Sequence, residues 1–122
     1  MILVRNVFRL KFGKAREATA LMQEGLGILR NAGADTVRDA RLLTDLTGPF
    51  YTLVLEETFD SLTAMERTLE RDMRLPEWQA FYPRFSPLVE SGYRELFTVV
   101  GSAVPPLGAA QAQERAEARA AR

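Results

Sequence analysis

The sequence contains no cysteine and no histidine. Disulfide bonds, a thiolate nucleophile and zinc sites of the Cys/His type are therefore excluded, and so are a Ser-His-Asp relay and a histidine ligand to haem. The side chains that remain for chemistry are carboxylates, amides, hydroxyls, arginine, lysine and a single tryptophan. No metal site and no resident cofactor are expected from this composition.

An excess of charge of one sign is also lacking, because 16 Lys and Arg residues balance 16 Asp and Glu residues. No overall field would recruit nucleic acid or an anionic membrane, so neither is expected as a partner. The apolar start, "MILV", ends at Arg5 and is too short for a signal peptide or a membrane span. We therefore expect a cytoplasmic protein. The length of 122 residues predicts one domain, residues 1–103, followed by an extension, residues 104–122.

Hydrophobic periodicity predicts an element order of β-α-β-β-α-β. The predicted elements are a strand at 2–12, a helix at 15–31, strands at 36–46 and 50–59, a helical region from 62 to about 89 that restarts at Pro76, and a strand at 93–100. This order is typical of an α+β, ferredoxin-like sandwich with a four-stranded antiparallel sheet and both helices on one face.

Several positions within the predicted helices have a specific interpretation. Gly25 and Gly27 are interpreted as points where the first helix approaches the sheet closely, and Gly33 as its C-cap. Ser61, with Asp60, offers an N-cap for the second helix. That helix is predicted to turn four residues inward, which are Leu62, Met65, Leu69 and Met73. Gly92 is predicted to stop the helical region.

Two predicted strands carry apolar residues on both faces. The stretches "FYTLVLEETF" and "ELFTVVGSAV" lack the polar outer face of a sheet that is covered on one side only. A second copy of the chain, sheet against sheet, is the simplest cover, so we predict a homodimer. Arg5 and Arg9 would point into the interface between the copies, where pairing of Arg9 with Glu56 would compensate the charges.

The stretch "PEWQAFYPRF", residues 76–85, combines four aromatic rings with an internal proline, Pro83. A proline within a helix removes a backbone hydrogen bond, so this region should be kinked or segmented. The space beneath it is either filled by rings or left as a cavity. Trp78 and Tyr82 carry a polar group on the ring and are predicted to line a pocket, whereas the two phenylalanines are predicted to be core.

Asn6 is the one polar side chain on the strand face that is predicted to turn toward the helices. A buried amide without a partner costs about 1–3 kcal/mol, so it should be hydrogen-bonded. The partner is either a neighbouring backbone group or water, or else a ligand. Tyr51 is a weaker ligand-binding candidate. No pair of carboxylates stands out as a general acid and base, and no glycine-rich phosphate loop is present.

The stretches "RLKFGKAREATALM" and "EETFDSLTAMERTL…PEWQAFYPRFSPLVESGYRELFTVV" resemble the dimeric α/β-barrel superfamily. Within it the chain is most similar to NIPSNAP-type proteins, with antibiotic-biosynthesis-type monooxygenases as more distant relatives. The resemblance extends from about Met1 to Val100. It implies a dimeric barrel with a ligand cavity between the sheet and the second helical region.

Some members of this superfamily are cofactor-independent monooxygenases of aromatic, polyketide-like substrates, and others degrade haem. Asn6 before Gly13 matches the placement of a strand-one asparagine in the haem enzymes, and Trp78 resembles their tryptophan. Their proximal histidine has no match in this chain. The resemblance therefore does not extend to haem degradation.

Three functions are compatible with these residues. The first is a homodimeric protein that binds a small apolar or aromatic molecule through Asn6, Trp78, Tyr82 and Tyr51. The second is a cofactor-free monooxygenase in which a substrate carbanion reacts with O₂, with Asn6 holding the substrate oxygen and Trp78 positioning its ring. The third is an assembly module that uses the alanine-rich tail, "AAQAQERAEARAAR", which is either a frayed helical extension or a functional arm.

Overall fold

The computed structural model describes residues 1–33, 39–103 and 107–121. The strands are β1 (Ile2–Leu10), β2 (Arg41–Thr44), β3 (Thr52–Phe59) and β4 (Val89–Thr98). The helices are α1 (Ala15–Asn31), α2 (Leu62–Met73), α3 (Pro76–Phe85) and α4 (Leu107–Ala120), with a 3₁₀ turn at Ser86–Leu88 between α3 and β4. None of the helices in the described ranges is long and apolar enough to span a membrane.

The four strands form one antiparallel sheet in the order β2-β3-β1-β4. β1 and β3 occupy its centre, and the helices α1 and α3 pack with the sheet around one hydrophobic core. The predicted ferredoxin-like α+β fold is confirmed.

Most element bounds agree with the periodicity, and the largest differences lie at β2 and β4. The predicted second strand spans 36–46, whereas β2 is Arg41–Thr44 and residues 36–38 lie outside the described residues. β4 begins at Val89, so Gly92 lies within a strand and does not stop a helix. The helical region is segmented, as predicted, but it ends at the 3₁₀ turn. Gly92 pairs with Phe8, and a Cβ atom there would lie 3.0 Å from the carbonyl oxygen of Val7.

The contact between α1 and α3 depends on Gly25. A Cβ atom at this position would lie 2.9 Å from Cζ of Phe81, so the glycine makes room for the phenyl ring. The sequence suggested a close approach of α1 to the sheet at Gly25. The close approach is instead between the two helices α1 and α3. Gly33 does adopt the positive φ, 76°, that is typical of the residue after a helix C-terminus.

Helix α2 begins as predicted, because Ser61 Oγ accepts a hydrogen bond from the backbone N–H of Ala64 at 3.1 Å. Its buried face differs from the prediction, since Leu62 and Met73 are 49% and 56% exposed while Asp72 is only 6% exposed. Positions 65, 69 and 72 follow steps of four and three and share one stripe, which leaves residue 73 about 100° away around the helix.

The sheet face opposite the helices carries exposed apolar side chains. Leu43, Tyr93 and Phe97 are 37%, 62% and 45% exposed on this outer face. Glu56 lies among them and forms ion pairs with Arg5, whose Nε is 3.3 Å from Oε2, and with Arg41. The predicted pairing with Arg9 is wrong, because Arg5 is the residue opposite Glu56 in the register of β1 and β3.

Candidate functional site

A cavity of about 480 Å³ lies between the helix-facing side of the sheet and the helices α1, α2 and α3. Its wall is mainly apolar and aromatic. The apolar and aromatic lining comprises Phe8, Met22, Leu29, Leu55, Leu69, Met73, Trp78, Phe81, Phe85 and Val89. The polar lining side chains include Asn6, Glu57, Asp72, Tyr82, Ser86 and Arg94.

The aromatic wall comes from α3 and β1. The rings of Trp78 and Phe81 have centroids 4.8 Å apart, and the Phe81 and Phe85 rings stack at 5.8 Å. Phe8 meets Phe85 edge-on at 5.3 Å. Phe81 and Phe85 are buried core residues, as predicted, whereas Trp78 is half-buried and Tyr82 is 55% exposed. The rings thus form a packed base, and Tyr82 is the most accessible aromatic side chain of α3.

Three of the four predicted site residues line this cavity, namely Asn6, Trp78 and Tyr82. Tyr51 does not. It follows the turn before β3 with a positive φ of 60°, and its ring packs at 5.0 Å on that of Phe12, beside a separate groove. Whether the three residues that do meet bind a ligand stays a prediction.

Asn6 faces the helices, as the alternation of β1 predicts. Its Oδ1 accepts a hydrogen bond of 2.6 Å from Nε of Arg94, which is also its partner in the register of β1 and β4. The partner of the amide oxygen is therefore a side chain. In the part of the chain that the structure describes, no residue accepts a hydrogen bond from Nδ2, so this donor is free for a ligand.

Glu57 contributes a carboxyl group to the same cavity. It is only 7% exposed, and its carboxyl forms no hydrogen bond or ion pair with any other described residue. Burial, followed by the nearby carboxyl of Asp72, raises the pKa of Glu57 from 4.5 to about 7, while the positive charge of Arg94 acts in the opposite direction.

Asp72 places a second carboxyl in the cavity from the buried stripe of α2. Its Oδ1 lies 3.5 Å from Nε of Arg71 and has no hydrogen-bond partner among the described residues. Burial raises the pKa of Asp72 above its ordinary value, and Arg71 lowers it in part. The cavity therefore contains two carboxyl groups that both resist ionisation.

Glu57, Asp72 and Arg94 were not predicted from the sequence to be members of one site. A signal for Glu57 was present, because it is the one charged residue on a β3 face that otherwise consists of Leu53, Leu55 and Phe59. This is the same type of signal that singled out Asn6. No pair of carboxylates was expected to stand out as a general acid and base. Glu57 and Asp72 nevertheless place two carboxyl groups in one cavity.

Metal binding finds no support in this arrangement. Within 1–33, 39–103 and 107–121, no group of three or more His, Cys, Asp or Glu residues could hold a metal ion. The cavity's own side chains can provide hydrogen bonding, charge stabilisation and proton transfer.

Neither a family model nor a curated protein sequence matches the chain. Among solved structures, a NIPSNAP domain protein from Burkholderia xenovorans is 28% identical, with a TM-score of 0.69 over 87% of this chain and 99% of that chain. A NIPSNAP family protein from Agrobacterium tumefaciens is 24% identical, with a TM-score of 0.72 over 87% and 97% of the two chains. The chain has a NIPSNAP-type fold.

A weaker likeness connects this fold to an oxygenase. SnoaB from Streptomyces nogalater, a cofactor-independent oxygenase, is 15% identical, with a TM-score of 0.61 over 85% of this chain and 97% of that chain. At this identity the likeness concerns the fold alone. The predicted resemblance to NIPSNAP proteins, with oxygenases of this type as more distant relatives, is confirmed.

Proposed function

We propose that the protein binds a small apolar or aromatic molecule in the cavity between the sheet and the helices. One observation supports this proposal above all: an aromatic wall from α3 meets a group of polar side chains that converge from β1, β3, β4 and α2. Ligand sites typically combine an apolar lining with a few placed polar groups, in volumes of about 300–1,000 Å³. The volume here, about 480 Å³, suits a molecule of one to three fused rings.

The polar groups define how such a ligand would be oriented. Its ring system would lie against Trp78 and Phe8, and an oxygen atom would accept hydrogen bonds from Nδ2 of Asn6 and from the guanidinium of Arg94. A ketone or phenol attached to an aromatic ring has this shape.

Trp78 is the single tryptophan of the chain, so its fluorescence reports directly on the cavity. We expect 2-tetralone, an aromatic ketone, to quench this fluorescence in a saturable manner. Asn6→Ala should weaken binding about fivefold, because one hydrogen bond contributes about 1 kcal/mol and a tenfold change in Kd is 1.4 kcal/mol. Tyr51→Phe is the matched control, since Tyr51 lies outside the cavity. Quenching that is saturable but unchanged by Asn6→Ala would contradict the proposed site.

A cofactor-independent oxygenase is the second candidate function. Two hydrogen-bond donors, from Asn6 and Arg94, lie in the same cavity as the unpaired carboxyl of Glu57, an arrangement suited to forming and holding an enolate. One such donor can contribute about 10²–10³ in rate. We expect consumption of O₂ with anthrone, an aromatic ketone with an acidic C–H bond, to fall by this factor in Asn6→Ala. An equal rate of O₂ uptake in Asn6→Ala and in the wild-type protein would contradict the role of Asn6 in an oxygenase reaction.

The proposal includes a homodimer that is formed through the outer face of the sheet. Leu43, Tyr93 and Phe97 are exposed there, and removing such apolar surface from water favours association. Tyr93 directly precedes Arg94, which lines the cavity from the other face of β4, so a second copy would lie one sheet thickness from the ligand site.

A further inference from the structure

Glu57 differs from its neighbour in the sequence, Glu56, in the way its carboxyl group is paired. Glu56 and Glu57 are adjacent in β3 and almost equally buried, at 8% and 7% exposed. Glu56 forms ion pairs with Arg5 and Arg41. Glu57 forms neither a hydrogen bond nor an ion pair with the residues that the structure describes.

A buried carboxyl without a partner lowers the stability of a folded protein. The fold does not require a carboxyl group at position 57. Leu53 and Leu55 occupy the same face of β3, and a leucine would pack at position 57 in the same way. The unpaired group points into a cavity that is large enough for a ligand. This combination indicates a chemical role in that cavity.

The sheet arranges Glu57 relative to two hydrogen-bond donors. Arg94 lies directly opposite Asn6 across β1 and β4, and Glu57 lies opposite Val4, two residues before Asn6. Arg94, Asn6 and Glu57 therefore form a diagonal row on the helix-facing side of three adjacent strands. The hydrogen bond from Arg94 to Asn6 uses Nε, and no described residue binds the two terminal nitrogens of Arg94.

We propose that Glu57 is the general base of the cavity, and that Arg94 and Asn6 bind the oxygen of a carbonyl substrate whose adjacent carbon carries the proton that Glu57 removes. This inference rests on the proposed function, because it requires that the cavity binds a small molecule. It adds the substrate class, an aromatic ketone with an acidic C–H bond, and the group that activates it.

The chemical step balances without an oxidant or a metal. The Glu57 carboxylate takes the proton from the carbon next to the carbonyl and becomes a carboxylic acid. The electron pair of the broken C–H bond forms the C=C bond of an enolate, and the carbonyl π electrons move to oxygen, where Arg94 and Asn6 donate hydrogen bonds. Return of the proton from Glu57 to the same carbon restores the ketone, and return to a conjugated carbon isomerises it.

The charged and titratable groups around Glu57 support a base that works near neutral pH. Asp72 faces it from α2 and raises its pKa, and Arg94 from β4 opposes this effect. Among the described residues, Tyr82 from α3 is the other titratable side chain that lines the cavity on this side of the sheet, whereas α1 contributes the apolar Met22 and Leu29. A base is most effective when its pKa is near the working pH, and the pKa of Glu57 is about 7.

Proton exchange on 2-tetralone in D₂O tests this directly. NMR would follow the loss of the proton signals next to the carbonyl, with the rate in buffer alone subtracted. We expect the protein to accelerate exchange and Glu57→Gln to lower the protein-dependent rate by about 10²-fold or more. Glu56→Gln is the matched control, because it changes the adjacent, equally buried glutamate on the opposite face. Its rate should remain within about threefold of the wild-type rate, since its contacts lie outside the cavity.

The pH dependence gives a second readout that needs no variant. The exchange rate of the wild-type protein should rise with pH and reach half of its maximum at about 7, where Glu57 loses its proton. A rate that is independent of pH between 5 and 9, or one that is equal in Glu57→Gln, would overturn the inference.

Fluorescence of Trp78, measured in the same samples, separates this inference from the proposed function. Saturable quenching by 2-tetralone without accelerated exchange would refute the role of Glu57 and leave ligand binding intact. Absence of both quenching and exchange would refute both proposals together.

Discussion

At the scale of single residues, the two neighbouring glutamates of β3 illustrate how strand alternation assigns opposite roles. Glu56 points to the outer face of the sheet, where Arg5 and Arg41 neutralise it. Glu57 points to the helix-facing side, where burial and the carboxyl of Asp72 favour its protonated form. The same residue type is thus paired with two guanidinium groups on one face and driven toward neutrality on the other.

The raised pKa of Glu57 predicts that the free energy of unfolding depends on pH. The pKa of Glu57 is about 7 in the folded chain and 4.5 ordinarily, so between these values the folded state binds the additional proton. Stability should therefore fall as the pH rises from 4.5 to 7, by up to about 3 kcal/mol at 1.36 kcal/mol per pKa unit. Glu57→Gln removes this loss. We expect a higher free energy of unfolding for the variant at pH 8 and little change at pH 4.5, measured by urea denaturation.

Glu56→Gln provides the opposite control for that measurement. It leaves the guanidinium groups of Arg5 and Arg41 without their shared carboxylate, so the variant should be less stable than the wild-type protein at pH 8. A loss of stability in Glu57→Gln at pH 8, equal to that of Glu56→Gln, would show that Glu57 has a stabilising partner after all.

At the scale of elements, the contact of α1 with α3 places the aromatic wall of the cavity. Gly25 lies beneath the ring of Phe81, and Phe81 in turn packs against Trp78 and Phe85. The depth at which α3 sits over the sheet therefore depends on the absence of a side chain on α1.

Two glycines of α1 allow a matched test of this contact. Gly25→Ala should lower the free energy of unfolding by about 1–3 kcal/mol, because the added methyl group overlaps the Phe81 ring. This loss should outweigh the gain of about 1 kcal/mol in helix propensity. At Gly27 no described atom lies within 4 Å of an added Cβ, so Gly27→Ala should raise stability by about 0.5–1 kcal/mol. Thermal unfolding measures both, and stabilisation by both substitutions would contradict the packing argument.

At the scale of the whole molecule, the sheet has two faces with different environments. Helices cover one face, while the outer face exposes Leu43, Tyr93 and Phe97 beside the ion pairs of Glu56. β4 belongs to both environments, since Tyr93 lies on the outer face and Arg94, the next residue, reaches the cavity.

The proposed homodimer predicts the effect of a charge on this outer face. We expect the wild-type protein to have twice the mass of one chain in light scattering at micromolar concentration. Phe97→Glu should shift it to the monomer, because a buried, unpaired carboxylate opposes association. Leu46→Glu is the control, since Leu46 is 97% exposed and precedes β3 in a turn outside the sheet. A wild-type monomer, or a dimer that is unaffected by Phe97→Glu, would contradict the proposed interface.

Local patterns were sufficient for the order of the elements, the bounds of α1, the Ser61 cap and the inward orientation of Asn6. Each depends on residues that are close in sequence: alternation along one strand, a 3.6-residue period along one helix, or a side chain that reaches the next turn. Periodicity gave the wrong buried residue at the end of α2, where Met73 was predicted to be buried and Asp72 is. The position of the sheet beneath α2 decides which of these two adjacent residues is buried, and no local pattern contains it.

The amino-acid sequence by itself determined the chemical inventory, without cysteine or histidine, and the ferredoxin-like arrangement of strands and helices. The composition of the site was decided by the tertiary structure. Arg94 meets Asn6 across 88 residues of chain, and Glu57 and Asp72 approach from different elements. These contacts depend on strand register and helix placement, which are set by the packing of the whole core and not by any local pattern.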